Sequence, residues 1–334
     1  MSATNKAEYY DTAERHDAAE RHDAVVIGAG AAGLSAALVL GRARRRVAVV
    51  DSGEPRNAPA AHMQGFLSRD GMPPAALLAV GREEVARYGV DLIDGRVEHV
   101  ENAEPTELGF LVHLAGGPVL QARRVVVATG LRDGLPELPG LAERWGRDVL
   151  HCPYCHGWEV RDRPLGVLGT APGSVDQALL LRQWSADVVL LAHTLELTAA
   201  DRERLAARGV RVVGGRIVRL VADDGRLRGV ELDTGRVVNR EAVFVFPQPV
   251  PRDALLFGLD CARDDNGWVT TDRTGRTSVP GVWAVGNVAD PRAQVVTAAG
   301  TGAAAAFALN HDLVDEEIGR AVALRRASGP AVAA

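Results

Sequence analysis

The chain has 334 residues, 47 % hydrophobic and 24 % charged, a size and composition that suit two well-cored domains rather than one. A formal charge of −5 gives no electrostatic reason to expect a nucleic-acid partner or an anionic membrane surface. No apolar run reaches the ~18 residues of a spanning helix and no basic-then-apolar leader occurs, so a cytoplasmic protein with no membrane partner is expected.

The first 22 residues are polar, and the hexapeptide Ala13–Ala18 (AERHDA) recurs at Ala19–Ala24. His16 and His22 could in principle bind a metal, but the composition favours a solvated, partly disordered tail over residues 1–22. Folded sequence is expected from Ala24. There Ala24-Val25-Val26-Ile27 reads as a buried strand ending in Gly28-Ala29-Gly30-Ala31-Ala32-Gly33. An Ala-rich helix from Leu34 to about Leu40 follows, and a second strand, Val47–Val50, ends at Asp51. Strand, G-x-G-x-x-G, helix and a closing acid make up a dinucleotide-binding fingerprint. In it Gly28 makes the tight turn and Gly30, with Ala31, admits the pyrophosphate. Gly33 lets the helix pack on the sheet, and Asp51 is expected to accept from an adenosine ribose hydroxyl.

A further strand, Val125–Val127, ends in Ala128-Thr129-Gly130, and beyond it lies Cys152-Pro153-Tyr154-Cys155 between His151 and His156. A disulfide closing so small a ring adds little to a fold. A zinc site needs about four ligands, and no second C-x-x-C or H-x3-H supplies them, so no metal site is expected. The pair therefore reads as a redox dithiol. His156 suits proton transfer near neutral pH or support of a thiolate, and structural packing beside a helix explains it equally well. Tyr154 and Trp158 fit either a substrate groove or aromatic core packing. Cys261 lies in a polar stretch, far in sequence from the pair, and receives no role.

After the dithiol, Leu165–Ser174 opens a helix through Gln183, and Val188–Leu191 forms the next strand, the pattern of a second dinucleotide unit. Its chemistry is degraded. Ala171 replaces the second glycine, Pro172 removes an N–H that could face a phosphate, and Ser174 takes the third small position. The second strand is followed by Ala192-His193-Thr194, with no arginine until Arg202 to meet a 2′-phosphate. A divergent but working NAD(P) site is the alternative. Near the C-terminus an apolar strand ends at Gly286-Asn287, and an Ala-rich helix is expected from about Ala293.

The order of these motifs resembles the low-molecular-weight thioredoxin-reductase type of flavoprotein, from Ala24 to about Leu313. The resemblance implies an α/β fold with two Rossmann-like domains. FAD would be held by residues 23–133 and 247–334, and residues 134–246 would form the dithiol-bearing domain. It also implies FAD contacts at Asn57, Thr129, Gly130, Gly286, Asn287, Gln294 and Val295, and a homodimer. The dithiol segment His151–Glu159 differs from the reductases and is similar to the dithiol oxidases of gliotoxin and holomycin biosynthesis, as is Ala61–Gly71. By that likeness Cys152 takes a small-molecule dithiol, Cys155 faces the flavin, and O2 accepts the electrons as H2O2. An NADPH-dependent thioredoxin or disulfide reductase, and a non-enzymatic flavin-binding redox sensor, remain the alternatives.

Overall fold

The computed structural model describes residues 21–103 and 109–328, so nearly all of the expected tail, with His16, lies outside the described residues. Two compact units share the chain. One comprises residues 1–55, 77–131 and 251–334, the other residues 56–76 and 132–250.

In unit one, strand β1 (Arg21–Ile27) leads to helix α1 (Ala31–Arg42) and strand β2 (Val47–Asp51). Helix α2 (Pro74–Ala86) and strand β3 (Asp91–Asp94) follow. A meander of β4 (Val97–Asn102), β5 (Phe110–Leu114) and β6 (Val119–Val127) comes next. Strand β1 begins three residues before the expected Ala24, because Arg21 and His22 extend the ladder opposite Gln121 and Ala122 of β6. His22 is buried there and reaches Asp91 at 3.2 Å, a partner sixty-nine residues away that no local pattern announces.

The chain leaves unit one through β7 (Leu131–Gly134). Unit two then runs β8 (Val149–Leu150), α3 (Pro153–His156), β9 (Leu165–Leu168), α4 (Gly173–Leu181) and β10 (Val188–Leu191). After α5 (Ala199–Ala207) and β11 (Arg211–Val213) come the antiparallel strands β12 (Ile217–Asp223), β13 (Arg226–Leu232) and β14 (Val237–Asn239). The central strand β15 (Ala242–Val245) precedes β16 (Gln248–Pro251), which pairs with β7. The main sheet of this unit has the order β11-β10-β9-β15-β8 and is parallel throughout. Its strands β9, β10 and β15 are buried at every position, as parallel strands covered on both faces must be.

Unit one is completed by α6 (Ala254–Gly258), β17 (Val282–Ala284) and the long helix α7 (Val295–Ala327). Its parallel strands read β3-β2-β1-β6-β17, and β6 is used twice along one edge. Residues 119–122 pair antiparallel with β5, and residues 125–127 pair parallel with β17. Helix α7 crosses α1 so closely that a Cβ on Gly302 would lie 2.0 Å from the Ala32 carbonyl oxygen. Its second half is tied to the sheet by ion pairs of Arg45 and Arg123 with Glu317, which hold that carboxyl down at about 2.

Segment Arg56–Ala76 groups with unit two, whereas the sequence reading assigned it to the FAD domain. The cause is long-range: Arg56 is salt-bridged to Asp133 at 2.7 Å, and Gly146 leaves room for no Cβ against the Pro59 backbone.

At the glycine-rich turn, a Cβ on Gly33 would fall 1.8 Å from the Gly28 carbonyl oxygen, while one on Gly30 would meet nothing within 4 Å. Gly33→Ala is therefore expected to lose about 1–3 kcal/mol of stability in urea unfolding. Gly30→Ala should unfold close to wild type yet retain less flavin absorbance per chain.

Candidate active site

In unit one the nucleotide cradle lies where β1 and β6 end. Gly28 has φ +106°, a conformation that excludes a side chain, and any Cβ there would strike the Ala128 carbonyl oxygen at 2.5 Å. Helix α1 starts at Ala31 with no side-chain cap on its first turn. The orphan N–H groups of that turn, beside the open space at Gly30, suit a pyrophosphate. Asp51 at the end of β2 plays a larger part than expected. Its Oδ1 accepts from the Ala29 N–H at 2.9 Å and its Oδ2 from Arg82, so it fixes the loop. A carboxylate with about four lone-pair positions can still take a ribose hydroxyl. A cleft of about 320 Å³ opens beside it, between Glu54 and Arg96.

The C-terminal corner is drawn to the same place. A Cβ on Gly286 would lie 2.9 Å from Ala32 Cβ, and the Gly286 N–H donates to Thr301 Oγ1. Asn287 donates its amide hydrogens to the carbonyls of Asp290 and Ala293 at 2.9 and 3.0 Å, so it shapes the loop leading to Gln294. Gln294 is the N-cap residue and Val295 the first of α7, two residues beyond the expected start. Thr129 Oγ1 donates to the Arg252 carbonyl, and the Arg252 N–H to the carbonyl of Gly130. Gly28, Gly30, Ala31, Gly33, Asp51, Thr129, Gly130, Gly286, Asn287, Gln294 and Val295 thus all belong to unit one, and the residues fit a dinucleotide. Asn57 belongs to unit two, in the turn closed by the Ala60 N–H on its carbonyl.

In unit two the dithiol sits at the end of β8. Cys152 is the N-cap of α3, the single turn that Pro153 opens, and its Sγ accepts from the Cys155 N–H at 3.2 Å. The two cysteines are joined as a disulfide with Cα atoms 5.2 Å apart. Trp184 supports the turn from beneath, since a Cβ on Gly157 would lie 2.8 Å from its ring. Tyr154 stacks edge-on against Trp184 and is 71 % exposed; Trp158 is 65 % exposed under the Arg161 guanidinium. Core packing therefore does not explain these two aromatics. Burial lowers the pKa of His156, opposed by Glu159, and lowers that of His151, opposed by Asp133. Both imidazoles are neutral at pH 7, so His156 can accept a proton. Cys261, by contrast, lies in the core of unit one, where burial raises its thiol pKa.

The second nucleotide turn is closed on itself. The Ala171 N–H points to Ser174 Oγ at 3.4 Å, and that hydroxyl donates to the Leu168 carbonyl. Helix α4 ends at Leu181, two residues short of the expected Gln183, and starts at Gly173 with Pro172 as its cap. His193 Nδ1 accepts from the Ile217 N–H, and burial, with Arg216 nearby, lowers the pKa of the ring. Two residues that motif reading passed over complete the region. Gln177 Nε2 donates to the carbonyls of His151 and Val245, and Phe246 packs edge-on to His151.

The chain belongs to the pyridine nucleotide-disulphide oxidoreductase family, matched over residues 22–303. It resembles the crystal structure of HlmI at 64 % identity with a TM-score of 0.89, covering 93 % of this chain and 97 % of that one. Thioredoxin reductase sirT of Leptosphaeria maculans is 31 % identical over 321 residues, 86 % of this chain and 93 % of its own. A relative from Arthroderma benhamiae is 35 % identical, but the match spans only 53 % of this chain and 45 % of that protein. The protein is accordingly a thioredoxin-reductase-like flavoprotein that binds FAD and acts on disulfide or dithiol groups. Among the described residues no helix is long and apolar enough to cross a membrane.

Because the folded state holds His151, His156 and His193 below the ordinary value of ~6.5, the unfolded chain binds more protons just below that pH. Their stabilising effect is complete above about pH 6.5 and lost as pH falls toward the folded pKa values. Urea midpoints should drop between about pH 7 and pH 5.5, and less steeply in a His151→Gln/His156→Gln double variant.

Proposed function

We propose that the protein is an FAD-dependent dithiol oxidase that forms an intramolecular disulfide in a small-molecule dithiol, with O2 as acceptor and H2O2 as product. The observation that carries this reading is an intact C-x-x-C turn in the same unit as a nicotinamide turn whose donors are occupied or missing. The rival, an NADPH-dependent disulfide reductase, draws on the names of relatives such as thioredoxin reductase sirT.

In the proposed reaction a substrate thiol loses its proton to neutral His156, and its sulfur attacks Cys152 Sγ. The Cys152–Cys155 bond breaks, and Cys155 leaves as thiolate. The substrate's second thiolate then attacks the substrate sulfur of the mixed disulfide, closing the product ring and expelling the Cys152 thiolate. The Cys155 N–H aimed at Cys152 Sγ makes that sulfur the better leaving group. Tyr154 and Trp158 offer exposed faces on which a planar substrate can lie while its thiols reach the turn. FAD, when bound, takes two electrons from the reduced pair and delivers them to O2, so that one dithiol and one O2 give one disulfide and one H2O2.

The reading includes a homodimer in the cytoplasm. In its support, Phe307, Val314, Ile318 and Val322 of α7 are exposed at spacings of seven, four and four, which aligns them on one helix face. Light scattering at working concentration should give twice the chain mass, and a monomer would count against the dimer.

Aerobic incubation with a small dithiol and no NADPH should release one H2O2 per disulfide formed, and NADPH under anaerobic conditions should leave the flavin oxidised. Fast bleaching by NADPH would favour the reductase. Incubated with the disulfide form of the substrate, Cys155→Ser should trap a mixed disulfide at Cys152, formed as the Cys152 thiolate opens that S–S bond; an adduct accumulating in Cys152→Ser instead would reverse the two roles. His156→Gln should lower turnover on the order of 10²-fold, chiefly in kcat, if the imidazole is the base.

A further inference from the structure

The two units offer an internal comparison, because each builds its nucleotide crevice between the same pair of strands. In an open parallel sheet the ligand lies outside the carboxyl ends of the strands where the order reverses. That point falls between β1 and β6 in unit one and between β9 and β15 in unit two.

The registers match residue for residue. Ile27 stands opposite Val127 at the end of the first pair, and Leu168 opposite Val245 at the end of the second. One step further, Gly28 is followed across the crevice by Ala128, and Gly169 by Phe246. A methyl group in unit one therefore corresponds to a benzyl group in unit two.

The consequence is visible at the helix starts. At Gly30 a Cβ would meet nothing within 4 Å, while Ala32, the position level with Gly173, packs against Gly286 and Gly302 at the C-terminal corner. Over Gly173, the first residue of α4, the Phe246 ring lies so close that a Cβ there would meet Cζ at 2.7 Å and Cε2 at 2.8 Å. The ring is 39 % exposed, and its backbone is held. It meets the His151 ring edge-on at 6.0 Å, and Gln177, buried beneath, ties the backbone just before Phe246 to that of His151 at 3.2 and 2.6 Å.

We infer that Phe246 is the specificity-determining residue that excludes nicotinamide dinucleotides from unit two, by laying its ring over the helix start on which their pyrophosphate would rest. The substitutions at Ala171 and Pro172 remove favourable contacts, whereas Phe246 occupies the volume itself. The inference extends the oxidase reading, to which it adds the residue that closes the crevice, but its test is independent of turnover.

The test is calorimetric titration of the purified FAD holoenzyme with NADPH and with NADH. Wild type, Phe246→Ala, Phe246→Leu and Ala171→Gly are compared, with flavin content and unfolding midpoint as folding controls. Phe246→Ala should bind at least one dinucleotide about tenfold or more tightly than wild type, Phe246→Leu by a smaller factor, and Ala171→Gly no more tightly than wild type. Should Phe246→Ala fail to fold, the gain in Phe246→Leu decides. No tightening in a folded Phe246 variant, or tightening in Ala171→Gly alone, overturns the inference. Peroxide formation from a dithiol by wild type reads the oxidase proposal separately. Absent peroxide with an opened crevice would sink that proposal and leave Phe246 its role; abundant peroxide with an unmoved affinity would do the reverse.

Discussion

The contact between the carbonyl oxygen of Gly28 and the backbone of Gly33 sets the position of almost everything else in unit one. With 1.8 Å between that oxygen and any Cβ, the first helix can start only where the first strand turns, with its free N–H groups facing the crevice. Asp51 locks the turn through the Ala29 N–H, and Gly302 lets α7 cross against Ala32, so three segments far apart in the chain are fixed on one corner. Glycine serves here because backbone must approach backbone. The electrostatic suitability for an anionic cofactor is a by-product of that close packing.

Unit two follows the same topology with different chemistry at the corresponding corner. Ser174 satisfies the loop from within, Pro172 withholds a donor, and the Phe246 ring lies against Gly173. Hydrogen bonds and packing that another sequence would leave to a ligand are made by the protein itself, so the region is stable without one. Gln177 and Phe246 support the strand end that carries His151 and Cys152.

The redox turn polarises one sulfur, because the Cys155 N–H is aimed at Cys152 Sγ. A single helical turn capped by Cys152, supported by Trp184 and flanked by neutral imidazoles, allows thiolate formation without placing a permanent charge in the site. Beside it Tyr154 and Trp158 are exposed, with the Arg161 guanidinium over the Trp158 ring.

Sequence alone determined what depends on local spacing. The glycine fingerprint, the acid at Asp51, the C-x-x-C pair and the buried runs of Val25–Ile27 and Val188–Leu191 are all readable, because turn geometry, redox reach and strand burial act over a few residues. Tertiary structure alone decided what depends on partners distant in the chain. The early start of β1 rests on pairing with Gln121 and Ala122 of β6, and the grouping of Arg56–Ala76 with unit two rests on Asp133 and Gly146. Asp51 and Asn287 turned out to hold backbone. Phe246 belongs to no motif. Only the strand register, which sets it opposite Gly169 as Ala128 is set opposite Gly28, gives that side chain a position over the crevice.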